Sequence, residues 1–241
     1  SNYYLFLSAL NLYNEDTESL FNVFIADFPF SEKKDDAVFF MSQYLFEKKK
    51  YKDVVSLLSD LNLYQLSEDR RYAAFFYLGY SCYKINNYDL AKNSFYELIA
   101  TDHHPYKDDA IFYNSYILLI EDNQELALEG FKSLTHSKKY IKQAPYFISK
   151  ILFDLNQYNT LSSYLEPILD SNRCDNYQDL VLLHAKSLYH QEKYDPAIVY
   201  FEEYKALKDT LTTPQLYQMG IAYYNKGLYG FAIQHFNKIG F

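Results

Sequence analysis

Residues that interrupt secondary structure or cross-link the chain are scarce in this sequence of 241 residues. It contains six glycines, six prolines and two cysteines. So few glycines and prolines argue against an all-β fold, which needs a turn after each short strand. Two cysteines cannot form a disulfide framework or a four-thiolate metal site. No apolar run approaches the roughly 18 residues needed to span a bilayer, so we expect no membrane insertion by this segment.

Basic charge is also limited. Three residues are arginine, and the formal net charge is −8 at pH 7. The chain therefore lacks the basic footprint of a nucleic-acid-binding protein, and we expect no nucleic-acid partner. In contrast, 28 tyrosines and 19 phenylalanines make 20% of the residues aromatic, although tryptophan is absent. Hydrophobic residues make up 49% of the chain, which is enough to bury a core.

An internal repeat of 34 to 37 residues dominates the sequence. Self-similarity at such a period is typical of solenoid proteins. Four columns of similar residues recur in six successive units. The first column is small (Ser42, Gly79, Ser115, Ser149, Ala185, Gly220), the second is mostly tyrosine (Tyr51, Tyr88, Gln124, Tyr158, Tyr194, Tyr229), the third is mostly alanine (Val54, Ala91, Ala127, Leu161, Ala197, Ala232) and the fourth is Phe or Leu (Leu58, Phe95, Phe131, Leu165, Phe201, Phe236).

Each unit is predicted to form two helices. In the unit around Gly79, for example, Phe75, Leu78 and Cys82 lie at helical spacing. Pro145 fits this interpretation, because it falls in the first turn of a first helix. Pro167 should instead kink or shorten its second helix. The predicted units are approximately 3–33, 34–66, 67–104, 105–138, 139–175, 176–210 and 211–241.

The order small, Tyr, Ala, Phe across a helix–turn–helix unit resembles the tetratricopeptide repeat (TPR). The fullest matches are Leu78-Gly79…Tyr88…Ala91…Phe95 and Met219-Gly220…Tyr223…Ala232…Phe236. The resemblance covers nearly the whole chain and implies an all-α fold. That fold would be a TPR-type helical-hairpin solenoid, a right-handed superhelix of about seven repeats. Gln124 and Leu161 depart from the Tyr and Ala columns.

A narrower resemblance to bacterial envelope TPR proteins rests on the segment Phe24-Ile25-Ala26-Asp27-Phe28-Pro29-Phe30-Ser31, followed by Asp35-Asp36-Ala37. Such proteins include the outer-membrane-assembly lipoprotein and the periplasmic partner of the Tol–Pal system. The resemblance implies a location in the bacterial periplasm or at the outer membrane, with the cytoplasm as the alternative. The sequence begins and stops in mid-pattern, so we expect it to be a fragment of a longer protein.

Stacking of the units should bury the four columns. A lone helical hairpin cannot cover its apolar face, so neighbouring units share one core. We expect the small column to face the Ala column within a unit, and the Phe column to fill the gap between units. The first and last units each lack a neighbour on one side, so contacts between these uncapped ends would produce a homo-oligomer.

A binding surface is expected on the concave face, which the first helix of each unit lines. Beside the packing face of these helices runs a second row of mostly aromatic residues at helical spacing. We call this row the aromatic stripe; it comprises Phe39, Phe76, Tyr80, Tyr83, Phe112, Tyr116, Tyr146, Lys150, Phe153, Lys186, Tyr189, Tyr217 and Tyr224. Burial between helices is an equally good interpretation for any single aromatic, but so many on one face favour a partly exposed groove.

The character of the stripe predicts its ligand. TPR domains that clamp a carboxylate use Lys, Asn and Arg at these places, whereas this chain has lysine there at Lys150 and Lys186 and mainly aromatic residues elsewhere. The acidic Asp36, Asp109 and Asp179 are expected to flank the stripe. It therefore suits an apolar or amphipathic helix, or an extended peptide with aromatic anchors and basic residues. Lys150 and Lys186 could grip one carboxylate, or they could simply be solvated.

No catalytic or metal-binding arrangement emerges from the sequence. His184 and His190 are six residues apart, which is not the i, i+4 spacing of a helical metal pair. We expect His184 and Cys82 to pack in the core, and Cys174 to be exposed in a polar connection. We therefore predict that the chain is not an enzyme and takes no metal or cofactor.

Three classes of function follow from these observations. The first is a non-catalytic scaffold that binds a protein or peptide in the aromatic groove. The second is a regulatory or sensor TPR domain of a larger enzyme, regulator or envelope protein. The third is a helical-repeat RNA binder, which acidity and scarce arginine disfavour because phosphate contacts supply much of the affinity for RNA.

Overall fold

A computed structural model describes residues 2–171, 174–208 and 210–239. Within these ranges the chain is all-α, as expected, with no β-strand. None of the described helices is long and apolar enough to cross a bilayer. The helices are α1 Asn2–Asn11, α2 Thr17–Asp27, α3 Lys34–Glu47, α4 Tyr51–Ser59, α5 Glu68–Lys84, α6 Tyr88–Ile99, α7 Lys107–Ile120, α8 Gln124–Ser133, α9 Ala144–Asp154, α10 Tyr158–Ser171, α11 Tyr177–His190, α12 Tyr194–Leu207, α13 Thr213–Asn225 and α14 Tyr229–Asn237, with short 3₁₀ helices at Leu63–Gln65 and Leu134–His136.

The chain divides into two compact units, Ser1–Asp122 (unit 1) and Asn123–Phe241 (unit 2). Unit 1 contains α1 to α7. Within it, α1 packs on α2, α3 on α4 and α5 on α6. Each later odd-numbered helix also packs on the preceding pair: α3 contacts α1 and α2, α5 contacts α3 and α4, and α7 contacts α5 and α6. This is the stacking of helical hairpins that the repeat predicts.

Unit 2 contains α8 to α14 and follows the same scheme. Here α11 contacts α9 and α10, and α13 contacts α11 and α12. Pro167 was expected to kink or shorten α10; it lies inside the helix, which continues to Ser171, so α10 is not shortened. Both Pro167 and Ser163, whose carbonyl loses its partner to the proline, are exposed. Water can therefore satisfy the freed carbonyl, and the helix continues.

The repeat columns form the core of both units. All six residues of the third column are buried, and in the fourth column Leu58, Phe95, Phe131, Leu165 and Phe201 are buried. Phe236, the last member of the fourth column, is half-buried. Large apolar side chains at this column therefore supply the packing between successive helices, as the repeat predicts.

Gly79 shows why the first column is small. A Cβ placed on Gly79 would lie 2.7 Å from Cε1 of Phe95, and one placed on Gly220 would overlap the ring of Phe236. The aromatic ring of the fourth column thus lies directly against the backbone of the first helix. At these two positions the small residue makes room for the ring of the fourth column.

A residue with left-handed backbone lies two residues after the end of each first helix. At six of these turns the N–H of the residue that follows donates to the carbonyl five residues back, as from Asn87 to Cys82 at 2.8 Å. In six of these turns the second helix begins two residues after the left-handed one, at the second column. The turn therefore fixes the positions of the residues of the second helix relative to those of the first. The left-handed residues are Tyr13, Lys49, Asn86, Asp122, Asn156, Glu192 and Gly227.

Candidate functional site

The aromatic stripe lies on α3, α5 and α7 of unit 1 and on α9, α11 and α13 of unit 2. Lys150, Tyr217 and Tyr224 are exposed, whereas Phe39 is 5% exposed and lies in the core. Most side chains of the stripe are therefore neither fully exposed nor fully buried. The half-buried members are Phe76, Tyr80, Tyr83, Phe112, Tyr116, Tyr146, Phe153, Lys186 and Tyr189.

In unit 1 the stripe residues of α5 and α7 contact one another ring to ring. The ring centroids of Phe76 and Tyr80 are 5.9 Å apart. Tyr83 continues the row, 6.1 Å from Tyr80 and 6.1 Å from Tyr116. Tilted and edge-on pairs at such distances attract one another. The two helices therefore present one continuous aromatic surface.

Sequence reasoning missed Tyr113, which holds this surface in place. Its ring lies 4.9 Å from Tyr80, 5.4 Å from Tyr83 and 6.1 Å from the core residue Phe95. Burial raises the pKa of Tyr113 well above its usual range, and the neighbouring Tyr80 and Asp109 add to the rise. The hydroxyl is therefore neutral at physiological pH. The sequence did contain a signal for this role of Tyr113, namely the adjacent aromatic residues Phe112-Tyr113, of which the second packs its ring inward.

Tyr77 has the same role between α3 and α5. Its ring lies 4.6 Å from Phe46, which in turn lies 5.4 Å from Tyr80. Phe39 stacks on Tyr77 at 6.4 Å from the inner side. Phe39 was expected to line the groove, but its burial means that it supports Tyr77 instead.

The acidic flank expected beside the stripe is largely absent from unit 1. Asp36 forms an ion pair with Arg70, and Asp109 is buried. A cation also borders the rings, because the Lys84 ammonium lies 5.5 Å from the Tyr80 ring and 5.7 Å from the Tyr83 ring. Asp36 is neutralised and Asp109 is enclosed, so the surface in unit 1 is aromatic with a positive edge.

In unit 2 the stripe is built around His190. Its ring stacks on Tyr158 at 4.6 Å and lies 5.8 Å from Phe153 and 5.5 Å from Tyr189. Burial lowers the pKa of His190, and the charge of Lys186 lowers it further. The imidazole is therefore neutral at pH 7 and acts as a flat aromatic group.

The two lysines of the stripe lie in different environments. Lys150 is exposed, in agreement with the interpretation that it is solvated. Lys186 is half-buried, and burial lowers the pKa of its ammonium group. Within the described part of the chain Lys186 has no ion pair, so its charge is available to a partner.

The remaining histidine and cysteine side chains lie apart from the stripe. His184 and Cys82 are buried, as expected, and burial raises the pKa of the Cys82 thiol to about 11. Cys174 was expected to be exposed but is half-buried, because it lies beside Tyr164. Among the described residues, no group of three or more His, Cys, Asp or Glu side chains could hold a metal ion.

Comparison with solved structures defines the class of fold. The chain is similar to the C-terminal part of a TPR repeat-containing protein from Cytophaga hutchinsonii, with a TM-score of 0.63 and 15% identity over 83% of this chain and 77% of that one. It is similar to MamA 41-end from Desulfovibrio magneticus RS-1, with a TM-score of 0.58 and 15% identity over 72% of this chain and 94% of that one. PilF from Pseudomonas aeruginosa gives a TM-score of 0.55 and 16% identity over 83% of this chain and 88% of that one.

These likenesses show the fold, and the fold is that of TPR proteins. No protein-family model matches the chain, and no curated protein is similar to it in sequence. What the chain binds must therefore be argued from its own surface.

Proposed function

We propose that this chain is a non-catalytic scaffold that binds a protein or peptide segment on the aromatic stripe. The observation that carries the proposal is the ring network of α5 and α7, in which Phe76, Tyr80, Tyr83 and Tyr116 are packed together yet remain half-exposed. Contiguous apolar surface of this kind in water marks an interaction site.

The network is suited to binding because it is rigid before a partner arrives. Tyr113 links Tyr80 and Tyr83 to the buried Phe95, so the rings lose little conformational freedom on binding. Aromatic residues in such packed positions supply a large share of binding energy in protein interfaces. The tyrosine hydroxyls can also donate to the backbone carbonyls of an extended segment.

The charges refine the class of ligand. In unit 1 the cation of Lys84 borders the rings, and in unit 2 Lys186 is desolvated and unpaired among the described residues. A segment that binds the surface of unit 1 therefore fits best with apolar or aromatic anchors and an uncharged or acidic residue near Lys84. In unit 1 this differs from the basic peptide that the sequence suggested, because Asp36 is paired with Arg70 and Asp109 is buried, whereas in unit 2 Asp179 is exposed.

Selection of a random peptide library on the chain, followed by fluorescence anisotropy of the selected peptides, tests the proposal. Replacing Tyr80 and Tyr116 together by alanine should weaken binding by about 2 kcal/mol or more, because two anchor rings are lost. Tyr96→Ala on the second helix α6 is the control, since that ring is exposed and lies outside the stripe. Its affinity should equal that of the unsubstituted chain.

Tyr80 also supports its neighbours, so a readout without substitution is needed. Bound peptide should protect Tyr80, Tyr83 and Tyr116 from nitration by tetranitromethane, while Tyr96 should react as before. Equal affinities for the unsubstituted and doubly substituted chains, together with unchanged nitration of the stripe, would place binding elsewhere and reject the proposal.

A further inference from the structure

The residue that precedes the first column is buried in five of the first helices. It is Met41 in α3, Leu78 in α5, Ile148 in α9, His184 in α11 and Met219 in α13. When α1 and α13 are aligned on the left-handed residues that follow them, Tyr13 and Gly227, Leu5 is the equivalent of Met219. Leu5 is 58% exposed.

Leu5 belongs to an apolar surface on α1, which we call the leading face. Tyr4 lies beside it, and Leu12 follows two turns later with 75% of its surface exposed. By the same alignment Leu12 is the equivalent of Lys226, which forms a 2.6 Å ion pair with Asp195 where α13 meets α12. At this position the leading face thus carries leucine where the junction of α12 and α13 carries a charge, and the equivalents Ile85 and Leu155 at α5 and α9 are apolar as well.

The opposite side of the last hairpin carries a matching surface, which we call the trailing face. It consists of Tyr217 and Tyr224 on α13 and Ile233 and Phe236 on α14. Tyr224 is 56% exposed and Ile233 is 57% exposed. Their equivalents one hairpin earlier, Tyr189 and Ile198, are half-buried, and the equivalent of Phe236, Phe201, is completely buried in a cluster with Met219 of α13.

The helices that form the two faces are also alike in lacking charged residues. Of the fourteen described helices, α1, α13 and α14 are the three that contain no Asp, Glu, Lys or Arg. Charged residues make up 22% of the chain, and an exposed helix normally carries them on its outer side. At the position equivalent to Asp195, α14 has Gly230, with open space around it. Uncharged surfaces on both sides can be brought together without burying an unpaired ion.

We propose that the leading face of one copy packs against the trailing face of a second copy. Leu5 of one copy would pack against Phe236 of the other copy, as Met219 packs against Phe201 within one chain. Leu12 would lie beside Gly230 and Ile233 in the place of the Lys226–Asp195 ion pair. The contact uses two different faces, so it is heterologous, and each copy retains one face for a further partner.

Analytical ultracentrifugation of the whole chain over a range of concentrations tests this. The weight-average mass should rise above the 28.6 kDa of one chain as concentration increases. Leu5→Lys on the leading face and Ile233→Lys on the trailing face should each weaken association at least about tenfold, because each buries an unpaired charge. Both positions are more than half exposed, so the thermal unfolding of the variants should be unchanged.

Mixing the two variants gives the decisive result. Leu5→Lys retains a trailing face and Ile233→Lys retains a leading face, so together they should form a complex of two chains, although each alone is monomeric. Val199→Lys, an equally exposed apolar position on α12, is the control and should associate as the unsubstituted chain does.

Three results would overturn the proposal. A chain that stays monomeric at all concentrations would leave both faces to another protein or to a further segment of a longer chain. Association that survives Leu5→Lys would indicate a symmetric contact through the trailing face alone. A mixture of the two variants that stays monomeric would show that these faces do not pair.

Discussion

A single methyl group tests the packing between a first helix and its second helix. Gly79→Ala should destabilise the chain by roughly 1–3 kcal/mol, because the added Cβ would lie 2.7 Å from the ring of Phe95. Phe95 is completely buried and also contacts Tyr113, so the ring has little room to retreat. The measurement is urea unfolding followed by far-ultraviolet circular dichroism.

Gly230 provides the matched control for this substitution. A Cβ on Gly230 meets nothing within 4 Å, and the residue lies in the first turn of α14. Gly230→Ala should therefore be neutral, or stabilise by up to about 1 kcal/mol through a better helix propensity. Equal unfolding midpoints for the two alanine variants would show that the ring of Phe95 does not lie against the backbone of α5.

At the level of helices and turns, the sequence predicted the columns but not the backbone of the turns. Asn86, Asn156 and Gly227 tolerate a left-handed conformation, so they carry a local signal. Lys49 and Glu192 carry none, because their Cβ disfavours that conformation and they lack the short polar side chain that lets Asn adopt it. The position in the repeat imposes it on them, since the second helix can pack on the first only if the chain turns there.

This conflict at Glu192 predicts a stabilising substitution. A left-handed L-residue costs about 1–2 kcal/mol, and glycine removes that cost but loses about 0.5–1 kcal/mol to the flexibility of the unfolded chain. Glu192→Gly should therefore raise the free energy of unfolding by up to about 1.5 kcal/mol. Thermal and urea unfolding measure it.

Two further substitutions separate backbone strain from the loss of a side chain. Glu192→Ala removes the carboxylate but keeps a Cβ, so it should bring no gain. Gly227→Ala at the equivalent turn should lose stability, because φ is 72° there. If Glu192→Ala stabilised as much as Glu192→Gly, the carboxylate and not the backbone would be the cause.

For the molecule as a whole, the helical hairpins were predictable and the geometry of the site was only partly so. Periodicity at 34 to 37 residues identifies which residues meet, because every unit repeats the same packing. It does not say which ring of an adjacent aromatic pair faces out. Phe112 and Tyr113 differ by about 100° around α7, and it is Tyr113 that contacts Tyr80, Tyr83 and the buried Phe95. The pairing of Asp36 on α3 with Arg70 on α5 likewise depends on a contact between successive hairpins that no column records.

The stability of the folded chain should fall in mild acid because of His184. Burial lowers its pKa from 6.5 to about 4, and its ring is enclosed against Tyr200 at 4.3 Å. Below pH 6.5 the unfolded chain takes up a proton at this residue before the folded chain does. The free energy of unfolding should therefore be unaffected above pH 6.5 and fall by roughly 3 kcal/mol as the pH drops towards 4.

His184→Met isolates this contribution, because Met41 and Met219 are buried at the equivalent positions of other hairpins. The Nδ1 atom of His184 is buried without a hydrogen-bond partner among the described residues, so methionine leaves no polar group unsatisfied. All carboxylates titrate alike in both chains, so the difference between their unfolding free energies reports on His184 alone. That difference should grow between pH 6.5 and pH 4. A difference independent of pH would mean that the imidazole takes up a proton as readily in the folded chain as in the unfolded one.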